Sequence, residues 1–119
     1  MMKCPECNSI PVILELLDTE VDYCFNCHGI WLDYNELSIL LREKPEYCEV
    51  NKKSRYHCPV CGMKMKQIYI NKFLEPVIDM CPVHHGFWLE NGELLRAIEN
   101  TSEAEGNPVK KVLTEIFNK

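Results

Sequence analysis

Short stretches of alternating hydrophobic and polar residues recur in the same order in the two halves of the chain. Alternation with a period of two residues predicts half-buried strands. The predicted strands form one hairpin and one further strand in each half, at residues 10–16, 19–23 and 30–32 and at residues 65–70, 77–80 and 87–89. Each half is therefore expected to form a small three-stranded antiparallel sheet.

A change to helical spacing follows each predicted sheet. One apolar helix face is expected in each half, formed by Leu37, Leu40 and Leu41 and by Leu94, Leu95 and Ile98. Asp33 is a candidate N-cap for the first helix, because Glu36 follows three residues later as in a capping box.

A third helix is predicted near the C-terminus. Asn107 is its expected cap, and Pro108 suits the first helical position. Apolar residues form a stripe along it, at Val109, Val112, Leu113, Ile116 and Phe117. This stripe is expected either to pack on the rest of the chain or to serve as a docking or dimerisation helix.

The two halves are copies of one module. Cys4-Pro5-x-Cys7 matches Cys58-Pro59-x-Cys61, and the segment 28–33 (HGIWLD) matches 85–90 (HGFWLE). Cys24 corresponds to Cys81. The interval from Cys61 to Cys81 is three residues longer than the interval from Cys7 to Cys24. Such a repeat indicates a duplicated supersecondary unit.

Cysteine stands out in the composition: the 119 residues include eight cysteines, and the formal net charge is −5. The chain has no apolar run long enough to span a membrane, and its first residues lack the apolar segment of a secretory signal. We therefore expect a cytoplasmic protein with no membrane partner. In that reducing compartment, metal binding or thiol chemistry explains the cysteines better than disulfides.

The cysteine spacing predicts two metal sites. The candidate ligands are Cys4, Cys7, Cys24 and Cys27 in the first copy and Cys58, Cys61, Cys81 and His84 in the second. A C-x2-C turn points backbone N–H groups at its thiolates, and two facing turns supply the tetrahedral shell of structural zinc. We expect one Zn²⁺ in each copy. Iron is an alternative at the four-cysteine site, since a tetrahedral sulfur shell also suits iron.

One more histidine follows the last candidate ligand of each set. His28 and His85 are candidates to orient the site by donating a hydrogen bond to a carboxylate such as Asp22 or Asp79. His85 is also an alternative ligand to His84.

The four-ligand sets predict a protein that is not an enzyme, because catalytic zinc keeps three protein ligands and an open position. The alternatives are a thiol redox switch that releases zinc and a metal-dependent enzyme. Cys48 lies between the copies as a spare thiol.

Basic residues are concentrated around the start of the second copy, whereas residues 1–50 carry three basic and ten acidic side chains. The candidate partner surface consists of Lys52, Lys53, Arg55, Lys64, Lys66 and Lys72. It could bind an acidic protein, the chain's own acidic half or single-stranded nucleic acid, or simply remain solvated. The negative net charge disfavours nucleic acid, so a protein partner is expected.

The motif of the first copy, C-P-x-C followed by D-x-C-x-x-C-H-G-I-W-L-D-x-x-E-L, resembles the transcription factor IIB-type zinc ribbon (zinc-finger) family. The resemblance covers residues 4–41 and 58–98. It implies a zinc ribbon with one zinc per copy, held by the two ligand sets above, and a link to transcription. Trp31 and Trp88 of this motif are expected to pack between sheet and helix over the metal cluster. The alternative is an exposed aromatic for stacking.

The predicted fold class is therefore small, metal-stabilised α+β: two tandem zinc ribbons, each a three-stranded antiparallel sheet with a following helix, and a C-terminal amphipathic helix. The expected boundaries are 1–44 for the first ribbon, 45–57 for a linker, 58–100 for the second ribbon, and 101–119 for a polar linker and the C-terminal helix. The expected function is a zinc-binding interaction module for protein or nucleic acid, such as a transcription-related adaptor.

Overall fold

Seven strands and three α-helices form in the part of the chain that the computed structural model describes, residues 2–71 and 74–117. The strands are, in chain order, β1 (Val12–Leu16), β2 (Thr19–Tyr23), β3 (Ile30–Asp33), β4 (Cys48–His57), β5 (Lys64–Asn71), β6 (Leu74–Met80) and β7 (Gly86–Leu89). The helices are α1 (Glu36–Leu41), α2 (Glu93–Glu99) and α3 (Pro108–Phe117), with a short 3₁₀ helix at Ala104–Gly106.

The strands of both copies belong to one antiparallel sheet, in the order β1-β2-β3-β7-β6-β5-β4. The prediction of two separate three-stranded sheets is corrected by the pairing of β3 with β7. In that pairing Trp31 lies opposite Trp88, and Ile30 lies opposite Leu89. The two ribbons are therefore joined edge to edge through equivalent strands, with an approximate twofold relation between the copies.

The expected linker at 45–57 contains β4, which pairs with β5 at the edge of the sheet. Its register shifts between Glu49 and Lys53 and again between Lys53 and His57. Ser54 is its one fully buried residue. Because the strand lacks regular alternation, its local sequence does not show it, and the pairing with β5 supplies the strand structure.

The helices cover one face of the sheet. Alternation places Ile30 and Leu32 of β3 and Phe87 and Leu89 of β7 on this face, where all four are buried in the main hydrophobic core. The apolar residues of α1 and α2 fill the same core. Apolar burial of this kind is the main driving force that holds the layers together.

The third helix packs on this core as well. The Asn107 side chain accepts a hydrogen bond from the Val109 N–H at 3.0 Å and donates one to the Leu40 carbonyl at 2.7 Å. Val109 and Leu113 are buried. The predicted cap is confirmed, and the apolar stripe packs within the chain; the side chain of Phe117 is outside the described residues.

The first helix begins later than predicted. Asn35, not Asp33, is the N-cap of α1. Glu36 nevertheless reaches back and accepts the Asp33 N–H at 2.8 Å. Glu93 accepts the Glu90 N–H in the same way, at 2.6 Å. These contacts supply one half of a capping box in each copy.

The opposite face of the sheet carries the tryptophans and most of the cysteines. Trp31 and Trp88 are each 1 % exposed and form a second cluster with the cysteines. Their burial is as expected, but they lie on the face away from the helix core rather than between sheet and helix. None of the helices in the described ranges is long and apolar enough to cross a bilayer.

Each tryptophan occupies space that a glycine of the other copy leaves free. A Cβ on Gly29 would lie 2.2 Å from Cζ2 of Trp88. A Cβ on Gly86 would lie 2.7 Å from Cζ2 of Trp31 and 2.2 Å from the Leu32 carbonyl oxygen. The two glycines therefore permit the close approach of the copies at the β3–β7 junction.

Gly86→Ala should lower the free energy of unfolding by about 3 kcal/mol, because the added methyl overlaps backbone as well as an indole ring. Gly106→Ala is the matched control, since nothing lies within 4 Å of the position of its Cβ. We expect it to change stability by less than about 0.5 kcal/mol. Denaturant unfolding of the two variants checks this, and equal stabilities would contradict the packing described at the junction.

The free energy of unfolding should depend on pH through Glu93, because burial raises the pKa of its carboxyl to about 7. An acid with a raised folded-state pKa stabilises the fold at low pH, and this stability is lost as the pH rises towards the folded value. Glu93→Gln, which keeps an acceptor for the Glu90 N–H, should therefore gain about 2 kcal/mol over the unchanged chain at pH 8 and about half as much at pH 6, where zinc ligands still ionise. Unfolding at both pH values, with Glu36→Gln as the less buried control, tests the sign; a gain independent of pH would refute it.

Candidate metal centres

The first C-x2-C turn of the first copy is held by backbone hydrogen bonds around Cys4. The Cys4 N–H donates to the Ser9 carbonyl at 2.7 Å, and the Asn8 N–H donates to the Cys4 carbonyl at 2.9 Å. Asn8 takes the left-handed conformation, with φ of 68°. The Glu6 N–H then points at the Cys4 sulfur at 3.4 Å. This is the turn geometry that the cysteine spacing predicts.

The equivalent turn of the second copy has the same design. The Cys58 N–H donates to the Met63 carbonyl at 2.8 Å, and the Val60 N–H points at the Cys58 sulfur at 3.4 Å. Gly62 has φ of 79° and takes the place of Asn8. A glycine or asparagine suits this position, because other residues rarely adopt the left-handed conformation.

The second turns of the two copies differ by one residue. In the first copy the left-handed residue is His28, with φ of 64°, and its N–H donates to the Cys24 carbonyl at 2.7 Å. In the second copy it is His84, with φ of 63°, and its N–H donates to the Cys81 carbonyl at 3.0 Å. His84 therefore lies one step earlier in its turn than His28 does.

The first centre contains the four predicted cysteines, whose sulfur atoms all lie within 4.8 Å of one another. The Cys4 and Cys27 sulfurs are 3.4 Å apart, as are those of Cys7 and Cys24. A tetrahedral shell with zinc–sulfur bonds of about 2.3 Å separates its sulfurs by about 3.8 Å. The cluster needs only a small expansion to hold such an ion.

The second centre contains His85 instead of the predicted His84. Its ligand atoms come from Cys58, Cys61, Cys81 and His85 and again lie within 4.8 Å of one another. The Cys61 and Cys81 sulfurs are 3.7 Å apart, and Nδ1 of His85 is 3.4 Å from the Cys81 sulfur. The prediction of His84 is corrected because the left-handed backbone falls at residue 84, so that the next residue faces the cysteines.

His84 lies against an aromatic ring instead. Its imidazole stacks on Tyr34, with ring centroids 4.7 Å apart and an interplanar angle of 21°. Tyr34 also stacks on Phe87 at 5.3 Å. This tyrosine comes from the segment before α1 of the first copy, so the contact joins the two copies. The sequence offered no signal for it, since it depends on the β3–β7 pairing.

We expected His28 to donate a hydrogen bond to a carboxylate such as Asp22, but its partner is a different residue. Its Nδ1 lies 2.7 Å from the Tyr23 hydroxyl group. The matching position of the second copy is Met80, which has no hydroxyl group to hold His85. The Tyr23–Met80 difference is the sequence signal that could have separated the two histidines.

The surroundings of each centre favour the thiolate form of one cysteine. Hydrogen bonds from the side chains of Asn26 and Ser9 lower the pKa of Cys7 to about 6. Burial opposes ionisation of Cys81, but backbone N–H groups of His85 and Val83 point at its sulfur, and its pKa falls to about 7. Since the thiolate is the form that binds metal, each cluster has an ionised ligand near neutral pH.

The two centres differ in exposure. Cys4 and Cys24 of the first are buried, and Cys7 and Cys27 are half-buried. In the second, Cys58 and Cys81 are buried, whereas Cys61 and His85 are exposed. The donor sets fit zinc at both centres, and the second offers a softer and a harder ligand type together, which zinc accepts.

The predicted partner surface lies on β4 and β5, and Lys72 falls outside the described residues. Lys53 pairs with Lys66 across the two strands, and Lys66 forms an ion pair with Glu49. Arg55 lies over the ring of Tyr56 and 3.9 Å from Glu90. Exposed Lys52 and Lys64 complete the set. Part of the basic charge is therefore taken up by acidic residues of the same chain.

Cys48 belongs to neither centre. It is half-buried in β4, and its thiol lies 3.9 Å from the Glu49 carbonyl oxygen. It stays a spare thiol.

The fold and the two clusters define a metal-binding ribbon protein in which C-x2-C turns hold each site. A family model described as transcription factor zinc-finger, of the transcription factor IIB ribbon type, matches residues 3–43 and residues 57–100. These segments cover most of the chain, and the chain belongs to this family with two copies in tandem. Comparisons with curated proteins and with solved structures gave no significant match.

His85→Ala should remove the ion of the second centre, lowering bound zinc from about two to about one per chain, because three ligands close the shell poorly. His84→Ala should leave both ions in place and remove only the stack on Tyr34. Metal analysis and the absorption spectrum of the cobalt-substituted chain distinguish the two variants. Loss of the ion in His84→Ala and its retention in His85→Ala would reverse our assignment.

Proposed function

We propose that this protein is a zinc-stabilised recognition module, in which both centres hold structural Zn²⁺ and the ribbons present a rigid surface to a partner protein. The observation that carries the proposal is the presence of four side-chain ligand atoms at each centre, all within 4.8 Å of one another. Four such ligands form the closed shell that is typical of structural zinc. The zinc ribbon family of the chain supports the same metal.

The proposal assigns no catalysis to the centres. A catalytic zinc acts through a position that water or substrate can occupy. Here the four ligands of each centre would fill the tetrahedron. The ion would instead hold the turns and the sheet together, with the Trp31–Trp88 pair packed beside both cysteine clusters.

Exposed apolar residues at the metal-binding turns support a protein as the partner. Phe25 is 70 % exposed, Val60 54 % and Val83 53 %. Each of the three lies inside a C-x2-C turn or its equivalent, where a metal would keep the backbone rigid. Large apolar side chains displayed in this way suit contact with a protein.

Nucleic acid is less well supported as the partner. The chain has a formal net charge of −5, and two bound zinc ions with ionised cysteines make it more negative. Of the basic residues on β4 and β5, Arg55 and Lys66 already contact carboxylates of the chain. A nucleic-acid site normally presents unpaired basic residues to phosphates.

A redox switch is the second candidate function, and one observation favours it. Cys61 is exposed, and its sulfur lies 3.7 Å from that of Cys81. An oxidant such as hydrogen peroxide would convert one thiolate to a sulfenic acid, and the other would displace water to form a disulfide. Loss of zinc at physiological peroxide levels, reversed by thiol reductant, would favour this function over a permanent structural site.

Zinc removal tests the structural role directly. The purified chain should bind about two zinc ions, and chelation should unfold the ribbons and expose both tryptophans, because the binding energy of structural zinc is also folding energy. Circular dichroism and tryptophan fluorescence measure this. Cys7→Ser should lose one ion, whereas Cys48→Ser, the control outside both centres, should keep two. A chelated chain that stays folded would contradict the proposal.

The recognition role is tested by partner capture with the intact, zinc-loaded chain and with the chelated chain. We expect a protein that binds only the zinc-loaded form. Triple replacement of Phe25, Val60 and Val83 by serine tests the exposed turns, and it should weaken capture without reducing the zinc content. Capture that is indifferent to zinc, or recovery of nucleic acid alone, would argue against a protein-recognition module.

A further inference from the structure

The two copies pair their first two strands in the same register, but one copy has an additional strand. Ile13 lies opposite Asp22 in the β1–β2 hairpin, and Gln67 lies opposite Asp79 in the β5–β6 hairpin. In the second copy β4 pairs with the outer edge of β5. In the first copy β1 is the end of the sheet, and no strand of the described residues pairs with its outer edge.

In the second copy β4 covers acidic residues on the metal face of the sheet. The Asp79 carboxyl is only 2 % exposed, and Ser54, the buried residue of β4, lies beside it. The Tyr56 hydroxyl donates to Glu90 at 3.3 Å, and Arg55 lies 3.9 Å from the same carboxylate. One extended strand thus supplies main-chain pairing, an aromatic contact and a cation.

The matching acidic residues of the first copy have no such cover. Asp22 and Asp33 occupy the positions of Asp79 and Glu90. Asp22 is only half-buried, and Asp33 is exposed. Among the residues that the structure describes, no Lys or Arg lies within ion-pair distance of either carboxylate.

The uncovered edge is also apolar. Ile10 is 60 % exposed, Val12 41 % and Ile13 69 %. The equivalent residues of the second copy are polar: Lys64, Lys66 and Gln67. An exposed apolar edge strand is a ready template for pairing with another chain, and proteins usually protect such edges with charge or cover. The β4 edge has that protection from Lys52 and Lys53, whereas β1 carries a single exposed charge, Glu15.

We propose that the β1 edge binds an extended basic segment of a partner protein, which pairs antiparallel with β1 as β4 pairs with β5. Its apolar side chains would cover Ile13 and its neighbours, and a Lys or Arg would reach Asp33 as Arg55 reaches Glu90. This is strand addition, in which main-chain hydrogen bonds give affinity and alternate side chains give specificity. Strand addition specifies the chemistry of the partner of the recognition module, and this inference rests on the proposed recognition function.

A second molecule of this same protein fits the β1 edge less well than a different protein does. The basic strand available on another copy is β4, at the far end of the sheet from β1. Pairing β1 of one molecule with β4 of the next is a heterologous contact, which leads to a ring or an open filament of many molecules. A separate basic segment satisfies the edge without forming such an assembly.

The probe is a synthetic peptide that copies residues 48–57 with Cys48→Ser, added to the zinc-loaded full-length chain. Binding should saturate below about 1 mM, shift the amide signals of β1, and slow hydrogen exchange along its outer edge. A peptide with Lys52, Lys53 and Arg55 replaced by glutamate should bind at least about tenfold more weakly. Nuclear magnetic resonance measures both effects.

Matched variants locate the contact. Ile13→Lys should weaken peptide binding about tenfold, because it places a charge on the edge, whereas Met63→Lys, at an exposed position of the second copy, should not. Asp33→Asn should weaken it, and Glu90→Gln, whose cation is supplied within the chain, should not. All four variants should retain two zinc ions, which shows that the fold is intact.

Three results would overturn the proposal: no shifts at 1 mM peptide, shifts that map away from β1, or β1 shifts that depend on protein concentration alone and thus show a second copy at the edge. In each case the Ile13→Lys variant decides whether the recognition function survives. If it still holds two zinc ions and still captures a partner protein, the protein is a recognition module that uses another surface. Failure to bind zinc would instead remove the proposed function itself.

Discussion

The antiparallel pairing of β3 with β7 is the contact on which the architecture depends. It places Trp31 opposite Trp88 and joins two copies of a small module into one sheet. Each indole fits only because the other copy has a glycine at the point of contact. The pairing creates two cores from one sheet: an apolar core under the helices, and a cluster on the other face where both tryptophans lie among the cysteines. A module of this size alone has too little core to be stable without a metal.

Much of this architecture could be predicted from the sequence, because short-range patterns carry it. Alternation located the hairpins, the Asn107-Pro108 pair located the start of α3, and cysteine spacing located the turns that hold the clusters. The repeat strengthened each inference, since three of the four ligand positions of one copy match a ligand position of the other. The family match over both copies agrees with these local signals.

The remaining features depend on contacts between residues that are distant in the chain. The strand β4 exists through its pairing with β5, and the junction of the copies exists through β3 and β7. The exchange of His84 for His85 follows from a backbone conformation: the left-handed residue lies one step earlier in the second copy than in the first. Counting residues between ligands could not detect that step, and only the Tyr23–Met80 difference hints at it.

The two copies of the module differ in structure. The second copy has a covering strand and a histidine ligand, whereas the first has four cysteine ligands and an open apolar edge. We expect both copies nevertheless to form one cooperative unit through the β3–β7 junction. Site-resolved amide hydrogen exchange on zinc-loaded Cys61→Ser, which damages only the second centre, tests it most directly. Protection should fall in β2 and β3 of the first copy as well. Full protection there, with loss confined to the second copy, would show that the two copies unfold independently.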